Sequence, residues 1–164
     1  MELYIGIDPG ISGAIGVVDE RGNVLLSEDL TQIKSARSKR HLDLNQIRRT
    51  LRSVANGHDS FAAIEKVSAR PGQGVVSMFR FGLAVGSMLG LLTGLEIGLI
   101  QVAPRQWMKE FLQYTEGKDS KTKSRLAASY RWPNEDFSLV KSHNRADALF
   151  LAEFARKHKQ NGST

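Results

Sequence analysis

The chain has 164 residues, of which 41% are hydrophobic and 24% charged, so it can bury one core and is not disordered as a whole. The net charge of +6 and the pI near 9.8 favour a polyanionic partner, with nucleic acid ahead of an anionic membrane. The lack of cysteine excludes disulfides, thiolate zinc sites and cysteine nucleophiles. Because no export signal is recognisable at the N-terminus, we expect a cytoplasmic protein of a bacterium or of a phage-infected cell.

Three strands are predicted at the start of the chain. Residues 3–8 form an uninterrupted apolar run that suits a central strand, and the glycines and proline of residues 9–13 predict a turn. Residues 14–19 and 24–26 are predicted to be two further strands joined by a tight turn. The basic run that follows, residues 34–40, is predicted to be a loop.

The middle of the chain alternates between helix and strand. Apolar residues at helical spacing predict a helix over residues 42–54, and residues 61–66 are predicted to be the fourth strand. A loop over residues 68–74 leads into a mostly apolar helix, and residues 96–102 complete the set of strands. This apolar helix carries a glycine stripe, a glycine at every fourth position: Gly82, Gly86, Gly90 and Gly94.

The glycine-striped helix has two interpretations. By composition, residues 81–102 could cross a membrane with small residues at a helix–helix contact. Glu96 and Gln101 argue against a membrane span, so we expect no membrane partner. We predict instead that the helix is buried and packs closely on the sheet through its glycine stripe.

Helices dominate the C-terminal third, with predicted helices at residues 105–112, 121–130 and 145–157. The order of the elements predicts an α/β fold with a mixed five-stranded sheet flanked by helices. We expect a single domain over residues 1–158 and a disordered tail at residues 159–164.

Four polar residues are expected to meet at one site. Asp8 and Glu65 end two apolar strands, which would place both carboxylates at one edge of the sheet if those strands are adjacent and parallel. His143 and Asp147 are four residues apart, so on a helix they share a face. Taken singly, Asp8 also fits a turn residue, and His143 also fits an exposed residue at a helix start.

Together these side chains offer oxygen and nitrogen ligands without sulfur, which favours Mg²⁺, with Mn²⁺ as a substitute, over structural zinc. A pair of such ions in one site activates a water and stabilises the leaving oxygen of a phosphodiester. His143 is expected to be a ligand or a proton carrier. On a basic protein this acidic cluster predicts phosphodiester chemistry on nucleic acid.

Five segments, in order and spacing, carry a resemblance to a known family: IGIDPG at 5–10, IEKV at 64–67, FGLAVG at 81–86, VAPRQW at 102–107 and RADAL at 145–149. Over nearly the whole chain they resemble the RuvC family of Holliday junction resolvases. The resemblance implies a ribonuclease H-like fold, a homodimer and paired Mg²⁺-dependent nicks in a four-way DNA junction. By position it makes Asp8, Glu65 and Asp147 the catalytic acids and metal ligands, with two metal ions per active site.

The chain departs from the common bacterial pattern in two places. The fourth site position, usually three residues before the last acid, is Asn144 here, and His143 lies one residue earlier; the spacing of His143 resembles phage or prophage members, so we favour His143. The loop after Glu65 lacks the aromatic residue that many bacterial members insert at the junction centre. Phe79 is therefore a candidate for contact with DNA, although it also fits a core residue.

Basic side chains are expected to bind the DNA backbone. Those in and around the helix before Asp147 lie in a region that the family uses to hold phosphates, and Arg70 and Arg105 are further candidates. Such contacts would make binding sensitive to salt without reading sequence. A solvated helix face is the alternative explanation. The candidate DNA-binding cations are Arg70, Arg105, Lys109, Lys118, Lys121, Lys123 and Arg125.

Three other functions remain open on the sequence. The first is a ribonuclease H-like nuclease that acts on other branched DNA or on RNA–DNA hybrids. The second is an actin-like or sugar-kinase-like ATPase, which the glycines around Asp8 resemble but which needs a second domain that this chain lacks. The third is a binding module without activity, which the intact acids argue against. A two-fold junction suits a two-fold dimer, and the glycine-striped helix is the candidate interface.

Overall fold

The computed structural model describes residues 1–34, 40–68 and 72–159. Most of the basic run at 34–40, the candidate residue Arg70 and residues 160–164 of the predicted tail lie outside the described residues. The strands are β1 (Glu2–Asp8), β2 (Ala14–Asp19), β3 (Val24–Asp29), β4 (Gln32–Lys34), β5 (Arg40–Leu42), β6 (Asp59–Glu65) and β7 (Gly98–Val102). The helices are α1 (Leu44–Ala55), α2 (Val75–Gly94), α3 (Pro104–Leu112), α4 (Ser120–Arg131) and α5 (His143–His158), and a short 3₁₀ turn, Val140–Ser142, precedes α5.

Five strands form one mixed sheet in the order β3-β2-β1-β6-β7. β1, β2 and β3 are antiparallel neighbours, whereas β1, β6 and β7 run parallel. The mixed five-stranded sheet predicted from the sequence is confirmed. Because Ile7 of β1 pairs with Ile64 of β6, the strand-ending residues Asp8 and Glu65 emerge at the same edge.

A second, two-stranded sheet was not predicted. β4 and β5 pair antiparallel, with Lys34 opposite Arg40, so the prediction of a loop for both residues is wrong. Each strand has only three residues and is largely exposed, so neither carries an alternating pattern long enough to predict a strand.

Helices cover both faces of the main sheet. On one face, Ile5 and Ile7 pack with Leu51 of α1 and Met88 of α2. On the other face, Tyr4 and other residues of the sheet pack with side chains of α3, α4 and α5. Helix α5 is the most deeply buried helix, and its residues 148–152 are all buried.

Close contact between helix and sheet depends on glycines of the strands. A Cβ atom at Gly6 would collide with the backbone of Ala148 and Ala152, and one at Gly16 would come within 2.8 Å of the Leu149 nitrogen. Side chains at these two positions would therefore push α5 away from β1 and β2. This close packing on β1 and β2 therefore fixes where the N-terminus of α5 lies relative to the ends of the strands.

The predicted role of the glycine stripe is wrong. Helix α2 packs on the core through Ala84, Met88 and Leu92, and among the described residues no atom lies within 4 Å of a Cβ built at any glycine of the stripe. The stripe therefore faces open space rather than the sheet. α2 is also the one helix in the described part of the chain that is long and apolar enough to cross a membrane, and most of it is not buried.

Candidate functional site

Three carboxylates come from three elements that converge at one edge of the sheet. Asp8 is the last residue of β1, Glu65 is the last residue of β6, and Asp147 lies one turn into α5. All three side chains are partly buried. The fixed contact of α5 with the strand glycines Gly6 and Gly16 holds Asp147 over the end of β1.

Burial raises the pKa of all three acids, and neighbouring carboxylates raise it further at Asp8 and Asp147. Burial raises the pKa of Asp8 well above its usual range, and the charges of Asp147 and Glu65 raise it further. Burial raises the pKa of Asp147 to about 7, and Glu65 adds to this effect. Burial also raises the pKa of Glu65. The site therefore concentrates negative charge that a cation would stabilise.

The charge of Lys121 partly compensates that of the acids. Its ammonium lowers the pKa of both Asp8 and Asp147, which burial has raised, although its own side chain is exposed. The sequence predicted Lys121 only as a contact to the DNA backbone. Its place beside the acids puts it where it can hold a phosphate next to them.

The donor set fits a hard divalent cation, since it consists of carboxylate oxygens whose charge a single exposed lysine offsets only in part. The side chains do not yet enclose an ion. In the part of the chain that the structure describes, no three His, Asp or Glu side chains lie close enough together to hold a metal. Binding would therefore require the carboxylates to draw closer to one another.

Two hydrogen-bond donors orient the acids, and neither was predicted from the sequence to have a role at the site. The indole Nε1 of Trp107 in α3 donates to Oε1 of Glu65 at 3.0 Å. The hydroxyl of Ser124 in α4 donates a short hydrogen bond to Oδ1 of Asp147. The signal in the sequence was slight: Ser124 is a polar residue at a position that the helical spacing assigns to the buried side of α4.

His143 and Asn144 have different partners at the start of α5. The Nδ1 atom of His143 lies 2.8 Å from the carbonyl oxygen of Val140. This contact requires the proton on Nδ1, so Nε2 is the ring atom left with a lone pair. The side-chain amide of Asn144 donates to the carbonyl of Ser12 at 2.5 Å, which ties α5 to the turn after β1. Asn144 thus has a structural partner, and the prediction that His143 fills the fourth position stays a prediction.

A basic groove lies between α3 and α4, the helices that carry Trp107 and Ser124. It has a volume of about 590 Å³, and Arg105, Lys109 and Lys123 line it together with the apolar side chains of Met108 and Leu112. Three predicted DNA-binding residues therefore share one groove. Lys118 is exposed just before α4.

Arg125, also predicted to bind DNA, has protein partners. Its guanidinium donates to the carbonyls of Phe137 at 2.8 Å and Ser138 at 2.9 Å. These bonds fix the segment between α4 and α5 and leave fewer donors for a phosphate. Because donors of Arg125 already bind these carbonyl oxygens, the structure does not point to a role for Arg125 in phosphate binding.

Phe79 is exposed rather than part of the core, with 72% of its surface accessible. Together with Ile11, which lies in the turn after Asp8, it lines a second groove of about 590 Å³. An aromatic ring is therefore available for contact on this side of the site. Phe81, in contrast, is partly buried and lies where a Cβ at Gly10 would be 3.6 Å from its ring.

Comparison with known proteins identifies the fold. No protein-family model and no curated protein matches the sequence. Among solved structures, RuvC of T. thermophilus in complex with a Holliday junction substrate superposes with a TM-score of 0.68 at 19% identity, over 98% of this chain and 97% of that chain. The structure of Thermus thermophilus RuvC gives a TM-score of 0.67 at 20% identity over the same shares. The chain therefore has the ribonuclease H-like fold of RuvC, as its sequence predicted.

Proposed function

We propose that this protein is a Holliday junction resolvase, a structure-specific endonuclease that makes paired, symmetric nicks in four-way DNA junctions by metal-dependent hydrolysis. The observation that carries the proposal is the meeting of Asp8, Glu65 and Asp147 at one edge of a sheet with the RuvC fold. A RuvC bound to a Holliday junction is among the structures that share this fold over nearly the whole chain. Such an enzyme would act in DNA recombination and repair or in the processing of phage DNA.

In this proposal the three carboxylates and His143 hold the metal. Two Mg²⁺ ions, or Mn²⁺ in their place, would activate a water and stabilise charge on the scissile phosphate when bound. Asp8, Glu65 and Asp147 supply the oxygen ligands, and the free Nε2 of His143 supplies a ligand or a proton acceptor. Lys121 offsets the charge of the acids and contacts a phosphate oxygen.

The α3–α4 groove supports a path for the DNA backbone. Arg105, Lys109 and Lys123 would bind successive phosphates there, and the apolar side chains between them would pack against deoxyribose. Lys118 extends this surface. Arg70 remains a candidate for a phosphate contact, and Phe79 remains a candidate for stacking on a base at the junction centre.

The exposed face of α2 supports a homodimer. This face combines the open glycine stripe with apolar side chains such as Val76 and Leu83, which are 66% and 55% exposed. Small residues allow two helices to approach closely, and a two-fold dimer would present one site to each of two opposed strands. Contact with a second copy of the chain would remove this apolar face from water. We place such an enzyme in the cytoplasm, where its DNA substrate is found.

A panel of substrates tests the proposal. The purified chain is incubated in Mg²⁺ with a four-way junction, a flap, a linear duplex and an RNA–DNA hybrid of matched length, and competition gives the relative rates. The proposal predicts that the junction is cut in preference to the other three. Preferential cutting of the flap or the hybrid would keep the site but assign a different ribonuclease H-like nuclease. Tight junction binding without any cutting would identify an inactive binding module.

A further inference from the structure

The two donors that contact the catalytic acids are buried and held in place. Trp107 has no exposed surface, and its ring stacks on Phe150 with the ring centres 6.3 Å apart and an interplanar angle of 16°. Its Nε1 can therefore point in only one direction, which is toward Oε1 of Glu65. The indole can only donate, so it fixes one oxygen of this carboxylate as an acceptor.

Ser124 has the same relation to Asp147. Only 1% of its surface is exposed, and its hydroxyl donates to Oδ1 of Asp147. Alanine would suit this buried helical position better than serine by propensity, and a buried hydroxyl is costly without a partner. The hydrogen bond to Asp147 explains why a hydroxyl is present there.

The two bonds leave a defined pair of oxygens. Oε2 of Glu65 and Oδ2 of Asp147 carry no hydrogen bond from these donors, and the bond to the other oxygen restrains the orientation of each carboxylate. Carboxylates that bind metals in proteins are in general oriented by such outer partners. The donors come from α3 and α4, the helices that also line the basic groove.

We propose that Trp107 and Ser124 are positioning residues for the metal site, which turn Oε2 of Glu65 and Oδ2 of Asp147 toward the divalent ion. This inference rests on the proposed metal-dependent nuclease function. Neither donor touches the DNA or the metal. Each acts through a carboxylate, so the loss of either donor weakens metal binding and leaves junction binding intact.

Matched variants of the full-length protein test this inference. Ser124→Ala and Trp107→Phe remove one donor each, and Ser124→Thr keeps the hydroxyl. Ser129→Ala is the control for the serine, because the hydroxyl of Ser129 donates only to the Leu126 carbonyl of its own helix, at 2.8 Å. For the tryptophan, the control is Trp132→Phe: Trp132 is also buried, also packs on Phe150, and donates to the Gly22 carbonyl at 3.0 Å.

Four quantities are measured for each variant. Binding of MnCl₂ to the free protein is followed by the electron paramagnetic resonance signal of unbound Mn²⁺. The Mn²⁺ concentration for half-maximal junction cleavage gives a second measure of metal affinity. Junction affinity is measured by gel shift in EDTA, and the melting temperature shows whether each variant is folded.

We expect Ser124→Ala and Trp107→Phe to weaken Mn²⁺ binding by about 10- to 100-fold, the usual effect of losing an outer partner of a metal ligand. Junction affinity should stay within about twofold of the wild type, since no phosphate contact is removed. Ser124→Thr should restore most of the Mn²⁺ affinity, and both controls should leave it unchanged. If Trp107→Phe does not fold, the variants Ser124→Ala, Ser124→Thr and Ser129→Ala test the inference on their own.

Two results would overturn the inference. One is unchanged Mn²⁺ affinity in Ser124→Ala, and the other is an equal loss of affinity in the controls. Failure of the proposed function looks different, because it shows in the wild-type protein, which would then bind no Mn²⁺ or would not cut the junction in preference to other substrates.

Discussion

Neutralising Asp147 should stabilise the metal-free protein, because its carboxylate is buried beside two other acids. The folded state raises the pKa of Asp147 from 3.8 to about 7. The folded protein therefore keeps a proton that the unfolded chain loses at about pH 4, and stability falls as the pH rises between these two values. Above about pH 7 the cost of the ionised group is fully present.

The free-energy cost of ionising Asp147 in the folded state follows from the change in its pKa. About three pKa units at about 1.36 kcal/mol each give about 4 kcal/mol for Asp147 at neutral to alkaline pH. Asp147→Asn removes the charge and keeps an oxygen that can accept from Ser124. A buried amide also loses some solvation, so we expect a gain of about 2–4 kcal/mol in the free energy of unfolding. For a chain of this size that gain raises the melting temperature by about 4–16 °C.

The assay is thermal unfolding in EDTA at about pH 8 and about pH 3, above and below both pKa values. Asp147→Asn should melt above the wild type at the higher pH and together with it at the lower pH. Mg²⁺ should raise the melting temperature of the wild type and thereby reduce the difference in melting temperature between Asp147→Asn and the wild type. Equal melting temperatures at the higher pH, or the same gain at both pH values, would refute the electrostatic reasoning.

Other substitutions address the remaining surfaces. Lys121→Ala should lower the cleavage rate much more than the junction affinity, because this lysine sits beside the acids; a pure loss of affinity would make it an ordinary backbone contact. Lys109→Ala should weaken junction binding and reduce the slope of log affinity against log salt by about one, and an unchanged slope would count against the groove as the DNA path. Gly86→Arg on the open face of α2 should yield a folded monomer by light scattering, whereas an unchanged dimer would place the interface elsewhere. Arg145→Ala breaks a bidentate pair with Asp29 that is partly exposed, so it should cost no more than about 1 kcal/mol in chemical denaturation, and a larger loss would show that this pair anchors α5.

The framework of the site was predictable because it depends on local patterns. Uninterrupted apolar runs predicted the central strands, and an acid at the end of each run predicted where Asp8 and Glu65 would emerge. The parallel pairing of β1 with β6 then brought both acids to one edge. The helical pattern predicted over residues 145–157 placed Asp147 on a helix, four residues after His143.

The features that were predicted wrongly or not predicted are those that the local spacing of residues does not determine. The period of the glycine stripe shows that four glycines share one side of α2, but it does not show whether that side meets the sheet or open space. The partners of Glu65 and Asp147 are 42 and 23 residues away along the chain, so only the packed structure brings Trp107 and Ser124 to them. β4 and β5 have three residues each and are mostly polar, and tertiary pairing rather than propensity makes them strands.

Cleavage of a synthetic mobile four-way junction with Mg²⁺, followed by mapping of the nicks on all four strands, tests the central claim most directly. We expect nicks at symmetric positions in two opposed strands, products that a ligase can seal, and no cutting by Asp8→Asn. Nicks in a single strand, equal cutting of a linear duplex, or full activity of Asp8→Asn would contradict the assignment of this site as a junction-resolving centre.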